Sequence, residues 1–226
     1  ASSQTLLDAV AYAHGKGVTV VAAAGNGGLN SISYPAAYDA YVVAVGATRF
    51  DETRAAYSNY GASLDLVAPG GDLTVDQNND GYGDGVLQNT FNPNTKSRSD
   101  FGYWFFQGTS MATPHVAGVA ALVIAKGNAA LPADVRKALE STAEDLGATG
   151  RDDTFGYGLV NAPLALAWTA GLPNQPPVAN GQSVITDEDV AANITLIASD
   201  PDGSALTYAI ITGPAHGTLT GVAPNV

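Results

Sequence analysis

The sequence predicts an α/β fold, a doubly wound and mostly parallel sheet, followed by a small and incomplete β-sandwich module. Two nearly continuous apolar and β-branched runs, Val18 to Ala24 and Tyr41 to Ala47, read as strands buried on both faces, as in a parallel sheet. Helical periodicity precedes the first run and returns later in the chain, and that alternation layers helices around a sheet. Beyond a proline-rich stretch the pattern changes to short alternating segments between Asp, Gly and Pro turns, the mark of a sandwich.

From Thr5 to His14, Leu6, Leu7, Val10, Ala11 and Ala13 recur at helical spacing, and Gly15 and Gly17 end the pattern. The stretch from Ala68 to Asp100 is polar, rich in Gly, Asn and Asp and without periodicity, too long for an ordinary connector, so it reads as a functional or metal-bound loop. Tyr103 to Gln107 reads as a short aromatic strand. Ser110 to Lys126 reads as a helix with so few polar positions that burial all round is expected. Pro132 to Ala143 is a more amphipathic helix with proline in its first turn, and Asn161 to Thr169 a last short one. The expected domains are 1–171, a linker at 172–178, and a β-module at 179–226. Within the module, Ser183 to Thr186, Asn193 to Ala198, Leu206 to Thr212 and Thr218 to Thr220 are the expected strands.

Composition narrows the function. With 21 acidic and 9 basic residues the net charge is -12, which repels phosphate backbones and anionic lipid, so no nucleic acid is expected as a partner. The longest apolar run, Val116 to Ala125, falls well short of the ~20 residues of a membrane span. There is no cysteine, so disulfides give no clue to the redox compartment. The chain opens Ala1-Ser2-Ser3-Gln4 without an initiator Met, and is expected to be truncated at its N-terminal side.

The chemistry gathers at Gln107-Gly108-Thr109-Ser110-Met111-Ala112-Thr113-Pro114-His115, a glycine-containing turn between a strand and an apolar helix. Unpaired N–H groups and the positive end of the helix dipole at such a turn favour negative charge developing beside Ser110 in acyl transfer. Ala22-Ala23-Ala24-Gly25-Asn26 ends the first buried strand, where the Asn26 carboxamide can donate into the crevice at the carboxyl edge of the sheet.

These two motifs, with Ser33-Tyr34-Pro35-Ala36, Leu66-Val67-Ala68-Pro69-Gly70 and Gly156-Tyr157-Gly158-Leu159-Val160-Asn161-Ala162, resemble the subtilisin-like serine endopeptidases over about residues 1 to 170, in the family's order. The resemblance implies that Ser110 is the nucleophile and that its backbone N–H and the Asn26 side chain form the oxyanion hole. It implies that Ala23, Ala24 and Gly25, with the turn at Tyr34 and Pro35, line the pocket for the side chain before the scissile bond. The substrate is then a protein or peptide, the protein a monomer that is secreted or attached to the cell surface.

In this family Asp, His and Ser occur in that order, with the first two upstream of the oxyanion Asn. His14 and His115 do not fit the base, His115 because five positions along the helix turn it away from Ser110. Without a base the hydroxyl is a weak nucleophile, and the chain alone is expected to be inactive or very weakly active. No cofactor is required for the chemistry, but a structural calcium is expected. Asp76, Asn78, Asp80, the Tyr82 carbonyl and Asp84 place oxygen ligands at alternate positions around Gly81, as in half a calcium loop. Leu87 stands where the closing acid belongs, so Asp72 or Asp100 would complete the shell; the alternative is a solvated loop.

Residues 176–226 resemble the cadherin-like or immunoglobulin-like repeats of large bacterial extracellular proteins, through Pro176-Pro177-Val178-Ala179-Asn180, Asp200-Pro201-Asp202-Gly203 and Gly217-Thr218-Leu219. Two rival functions remain open. One is an esterase-type hydrolase using Ser110, Asp152 and His216; the other is a non-catalytic extracellular adhesion protein.

Overall fold

A computed structural model describes residues 2–169, 177–187, 189–199, 206–214 and 216–221. The chain divides into two compact units, Ala1–Ala170 and Gly171–Val226. Of the expected linker, residues 172–176 lie outside the described residues, as does the Asp200-Pro201-Asp202-Gly203 turn.

The first unit opens with α1 (Gln4–Gly15), whose N-cap Ser3 accepts the Leu6 N–H. Strands β1 (Val20–Ala23), β2 (Val42–Thr48) and β3 (Leu66–Pro69) form a parallel sheet in the order β1-β2-β3. Val20 pairs with Val42, and Val45 with Leu66. Every residue of β2 is buried, because the central strand is covered on both faces. Alternation along it splits the core. Val43, Val45 and Ala47 pack with α2 (Thr109–Lys126), α3 (Pro132–Ser141) and α4 (Ala162–Ala167), whereas Val42 and Ala44 pack with Val10 of α1. Helices on both faces of a parallel sheet make the unit doubly wound.

Asp65 ties α3 to this sheet. Its Oδ2 accepts the Ala44 N–H at 2.6 Å, while its Oδ1 takes the Arg136 guanidinium, which also binds Asp39 Oδ1 at 2.7 Å and Glu140 Oε1 at 2.6 Å. Burial pushes the Asp65 carboxyl up to about 7, against the downward pull of Arg136.

Three expectations need correction. The polar stretch after Ala68 contains a strand, β4 (Val86–Phe91), paired antiparallel with β5 (Phe101–Phe106). Its Gln88, Asn89 and Thr90 hid the alternation. The helix α2 is not buried all round: Ala112, Val116, Val119, Ala120 and Val123 are inside, but Leu122 and Ile124 are exposed. The sheet, α3 and α4 pack on one side of it, and no described element covers the side of Leu122 and Ile124. In the second unit the strands are β6 (Val178–Ala179) and β7 (Ala198–Ser199), an antiparallel pair of two residues each. Among the described residues, the four expected strand segments contribute only Ala198 to it.

Candidate active site

The site is assembled where the turn at Gly108 to Ser110 touches the ends of two sheet strands. After β5, Gly108 carries φ 146°, in the region that favours glycine, and turns the chain into α2. Its N–H donates to Gly70 O at 3.0 Å, just beyond β3. The next residue, Thr109, is fully buried and faces the end of β1: its Oγ1 accepts the Gly25 N–H at 3.3 Å. Ser110 follows, exposed, in the first turn of α2, where a backbone N–H has no carbonyl four residues back within the helix. Pro114 carries no N–H, so the Ser110 carbonyl also lacks a helical partner.

Asn26 is exposed but fixed. Its Oδ1 accepts both the Thr109 N–H and the Thr109 hydroxyl, each at 2.9 Å. Because a backbone N–H can only donate, the amide atom facing it must be oxygen, which sets the flip of the carboxamide. The Nδ2 group is left at the free end, and no described acceptor takes its protons. A Cβ built on Gly108 would lie 3.5 Å from that nitrogen. The residues 83 positions apart thus place an unused N–H donor beside the turn that carries Ser110.

The loop after β1 is braced by Asn59, which the sequence analysis passed over. Buried at 3% exposure, its Oδ1 accepts from Gly27 N at 2.9 Å and Leu29 N at 3.1 Å, and its Nδ2 donates to Ala24 O at 3.2 Å and Ser33 Oγ at 3.4 Å. One amide therefore holds the Ala24 to Leu29 path against the Ser33 turn. Gly25, at φ 109°, leaves no room for a side chain, since a Cβ would collide with Ser33 Oγ and Asn59 Nδ2. Nothing in the Tyr57-Ser58-Asn59-Tyr60 stretch marks Asn59, because its burial, which obliges a carboxamide to find several partners, comes only with the fold. Of the other expected pocket residues, Ala24 is buried, Ala23 and Pro35 are half-buried, and Tyr34 is exposed with its ring 4.6 Å from that of Tyr38. On the β3 side, the Tyr57 hydroxyl donates to Gly71 O at 2.7 Å, and burial pushes this phenol up to about 12.

The histidines stand apart from this chemistry. His115 is exposed, with Nδ1 2.8 Å from Met111 O on its own helix, and His14 packs edge-on against Tyr41 at 5.6 Å. For the esterase arrangement, Asp152 is occupied by its own turn: Oδ1 accepts the Thr154 and Phe155 N–H groups at 2.7 and 2.8 Å, and Oδ2 the Ala148 N–H at 3.0 Å. His216 belongs to the second unit.

The polar loop forms a compact, internally hydrogen-bonded turn. Asp76 accepts from the N–H groups of Asp80 and Gly81 at 3.1 and 2.9 Å, Asn78 Oδ1 from Asp80 N at 3.0 Å, and Asp80 Oδ1 from Tyr82 N at 2.9 Å. Asp84 is turned to Gln77 N, at 2.6 Å. The carboxylates expected to complete a shell are engaged elsewhere, Asp72 by Thr74 and Arg49 and Asp100 by Thr95. Among the described residues no three acidic, His or Cys side chains converge. The oxygens of Asp76, Asn78 and Asp80 are taken up by hydrogen bonds within their own turn.

Comparison with known proteins places this geometry in context. The family model of the subtilase family matches residues 1–158, and that of the bacterial Ig domain matches residues 174–225. Subtilisin BL of Lederbergia lenta is 45% identical over 163 residues, covering 72% of this chain and 51% of that protein. The alkaline elastase YaB of a Bacillus strain is 45% identical over 165 residues, covering 73% of this chain and 37% of that protein. A solved protease from Pseudoalteromonas arctica superposes with a TM-score of 0.64 at 37% identity, covering 74% of this chain and 47% of its own. The chain spans about half the length, or less, of these relatives.

Proposed function

The chain belongs to the subtilase family of serine proteases, and from that premise we propose that it supplies the nucleophile and the side-chain oxyanion donor for peptide-bond hydrolysis. The observation that carries this reading is the anchoring of Asn26 Oδ1 on Thr109, one residue before Ser110, which leaves the Nδ2 protons free.

In the proposed reaction Ser110 Oγ attacks the substrate carbonyl carbon as its proton passes to a base. The negative charge that gathers on the carbonyl oxygen is met by the Ser110 N–H and the Asn26 Nδ2–H, both positioned before the substrate arrives. Collapse expels the amine, which takes that proton back from the base, and leaves an acyl ester on Ser110. Water, giving a proton to the base, then cleaves the ester and the Ser110 hydroxyl is restored. Ala23, Ala24 and Gly25 with Tyr34 and Pro35 are proposed to receive the side chain before the scissile bond. The base and its orienting carboxylate are proposed to be a His and an Asp upstream of this chain, since His14 and His115 are held by other contacts. The chain alone is then inactive or very weakly active. The test is labelling of Ser110 by a fluorophosphonate: the protein extended upstream reacts and the Ser110→Ala variant does not. Failure of the extended protein to react would contradict the reading.

A structural calcium is proposed at Asp76, Asn78, Asp80, the Tyr82 carbonyl and Asp84. Chelation should then speed proteolytic cutting within residues 70–100, and an unchanged cutting rate would remove the metal from the account. The substrate is proposed to be protein or peptide and the setting extracellular or cell-surface, in keeping with the bacterial Ig domain match. No helix among the described residues is long and apolar enough to cross a membrane.

A further inference from the structure

The β4–β5 hairpin carries a surface that the hydrolytic reading does not use. Its register pairs Leu87 with Phe105, Asn89 with Tyr103 and Phe91 with Phe101, so these six side chains share one face. All six are exposed, Tyr103 at 73% and Phe101 at 60%, while the alternate residues Gln88, Thr90 and Trp104 are half-buried on the other face. The aromatic face is therefore the one turned outward. Five of the six side chains are apolar or aromatic, so the face is a candidate contact surface.

The hairpin is tied to the reacting group. Its second strand ends at Phe106 and Ser110 lies four residues on, with no flexible spacer: Gln107 Oε1 accepts the Leu73 N–H at 2.5 Å, and Gly108 N–H is held by Gly70 O at 3.0 Å. Gly70 follows β3, whereas Thr109 and Asn26 meet at the end of β1. The hairpin thus reaches the nucleophile from the β3 side, across from Ala23 to Gly25. At its far end Lys96 and Arg98 are exposed, and neither has an ion pair or side-chain hydrogen bond among the described residues. They stand out in an acidic chain.

Resting on the protease reading, we propose that this face is a substrate exosite. It holds an extended polypeptide on the leaving-group side of Ser110, apolar residues lying on Phe101, Tyr103 and Phe105 and acidic residues reaching Lys96 and Arg98. Aromatic side chains present large rigid contact area at small entropic cost, and the two cations give direction through charge complementarity.

The probe is fluorescein-labelled, reduced and carboxymethylated α-lactalbumin, an acidic unfolded polypeptide, titrated against the full chain as Ser110→Ala and followed by anisotropy. Adding Phe101→Ser with Tyr103→Ser should weaken binding at least about tenfold, a loss of ~1.4 kcal/mol. Adding Lys96→Glu with Arg98→Glu, at the exposed tip where folding is not at stake, should weaken it and reverse its salt dependence, so that added salt strengthens the residual binding by screening an acidic chain from an acidic probe. Equal affinity for parent and both variants overturns the exosite. So does sedimentation showing that the face instead joins two copies of the chain, or binding to anionic vesicles in place of the polypeptide. Fluorophosphonate labelling of Ser110 in the extended protein, with the exosite residues changed, separates the two claims. Labelling without polypeptide binding sinks the exosite alone, and absence of labelling in the unaltered extended protein sinks the protease reading.

Discussion

Replacing Thr109 by Val isolates the contact that orients the Asn26 amide, the proposed oxyanion donor. The substitution keeps β-branching and volume at a fully buried position, and removes one hydroxyl. That hydroxyl donates to Asn26 Oδ1 at 2.9 Å and accepts from Gly25 N at 3.3 Å, while the Thr109 N–H bond to Asn26 stays in place. Two hydrogen bonds at ~1 kcal/mol each, with the desolvated partners left short, give about 2 kcal/mol of lost stability. With a urea slope of ~2 kcal/mol/M, the unfolding midpoint of the first unit should fall by about 1 M. In the protein extended upstream, the Asn26 amide then hangs on one bond, and kcat should fall about tenfold with little change in KM. Thr109→Ser, which restores the hydroxyl, should recover most of both effects. An unaltered midpoint and an unaltered kcat in the Val variant would show that Thr109 Oγ1 has no part in setting the donor.

The remaining predictions test what surrounds the site. Asn59→Ala removes four hydrogen bonds of a buried amide and should cost roughly 3 kcal/mol, read by urea unfolding; a loss below ~1 kcal/mol would mean the loop holds itself. Gly25→Ala, at φ 109° and against Ser33 and Asn59, should be more damaging than an alanine at exposed Gly118, and equal midpoints would discard the steric argument. Arg136→Ala strands the Asp65 carboxyl and should destabilise by about 3–5 kcal/mol at pH 8. Burial already raises Asp65 from 3.8 to about 7, and losing Arg136 raises it further. A carboxyl raised on folding favours the fold below its unfolded value and loses that contribution as pH rises through the folded one. The gap between Arg136→Ala and the parent should therefore narrow from pH 8 to pH 5, and a gap that widens over this range would reverse the assignment.

The sheet and the strand–turn–helix at Gly108 are legible because their signals are local. A strand buried on both faces must be apolar throughout, and Val42 to Thr48 is. A sharp turn from strand into helix favours glycine, and Gly108 stands there with φ 146°. What stayed hidden depends on contacts far along the chain. Nothing near Thr109 indicates that its hydroxyl meets a carboxamide 83 residues away, and nothing near Asn59 shows which four groups it will join. The apolar content of α2 is local, but which of its sides meets the sheet, α3 and α4 is settled by partners elsewhere in the chain. β4 was missed because its exposed face mixes Leu87 and Phe91 with Asn89, so hydrophobic alternation fails although the strand pairs along all six residues.

The central claim is that the Asn26 amide and the Ser110 hydroxyl serve one carbonyl, and steady-state kinetics of Asn26→Leu in the protein extended upstream tests it most directly. The account predicts a fall in kcat of ~10²–10³, a magnitude already established for a subtilisin rather than obtained from this geometry, with KM nearly constant. A variant that turns over at the parent's rate, or one altered only in KM, would contradict it.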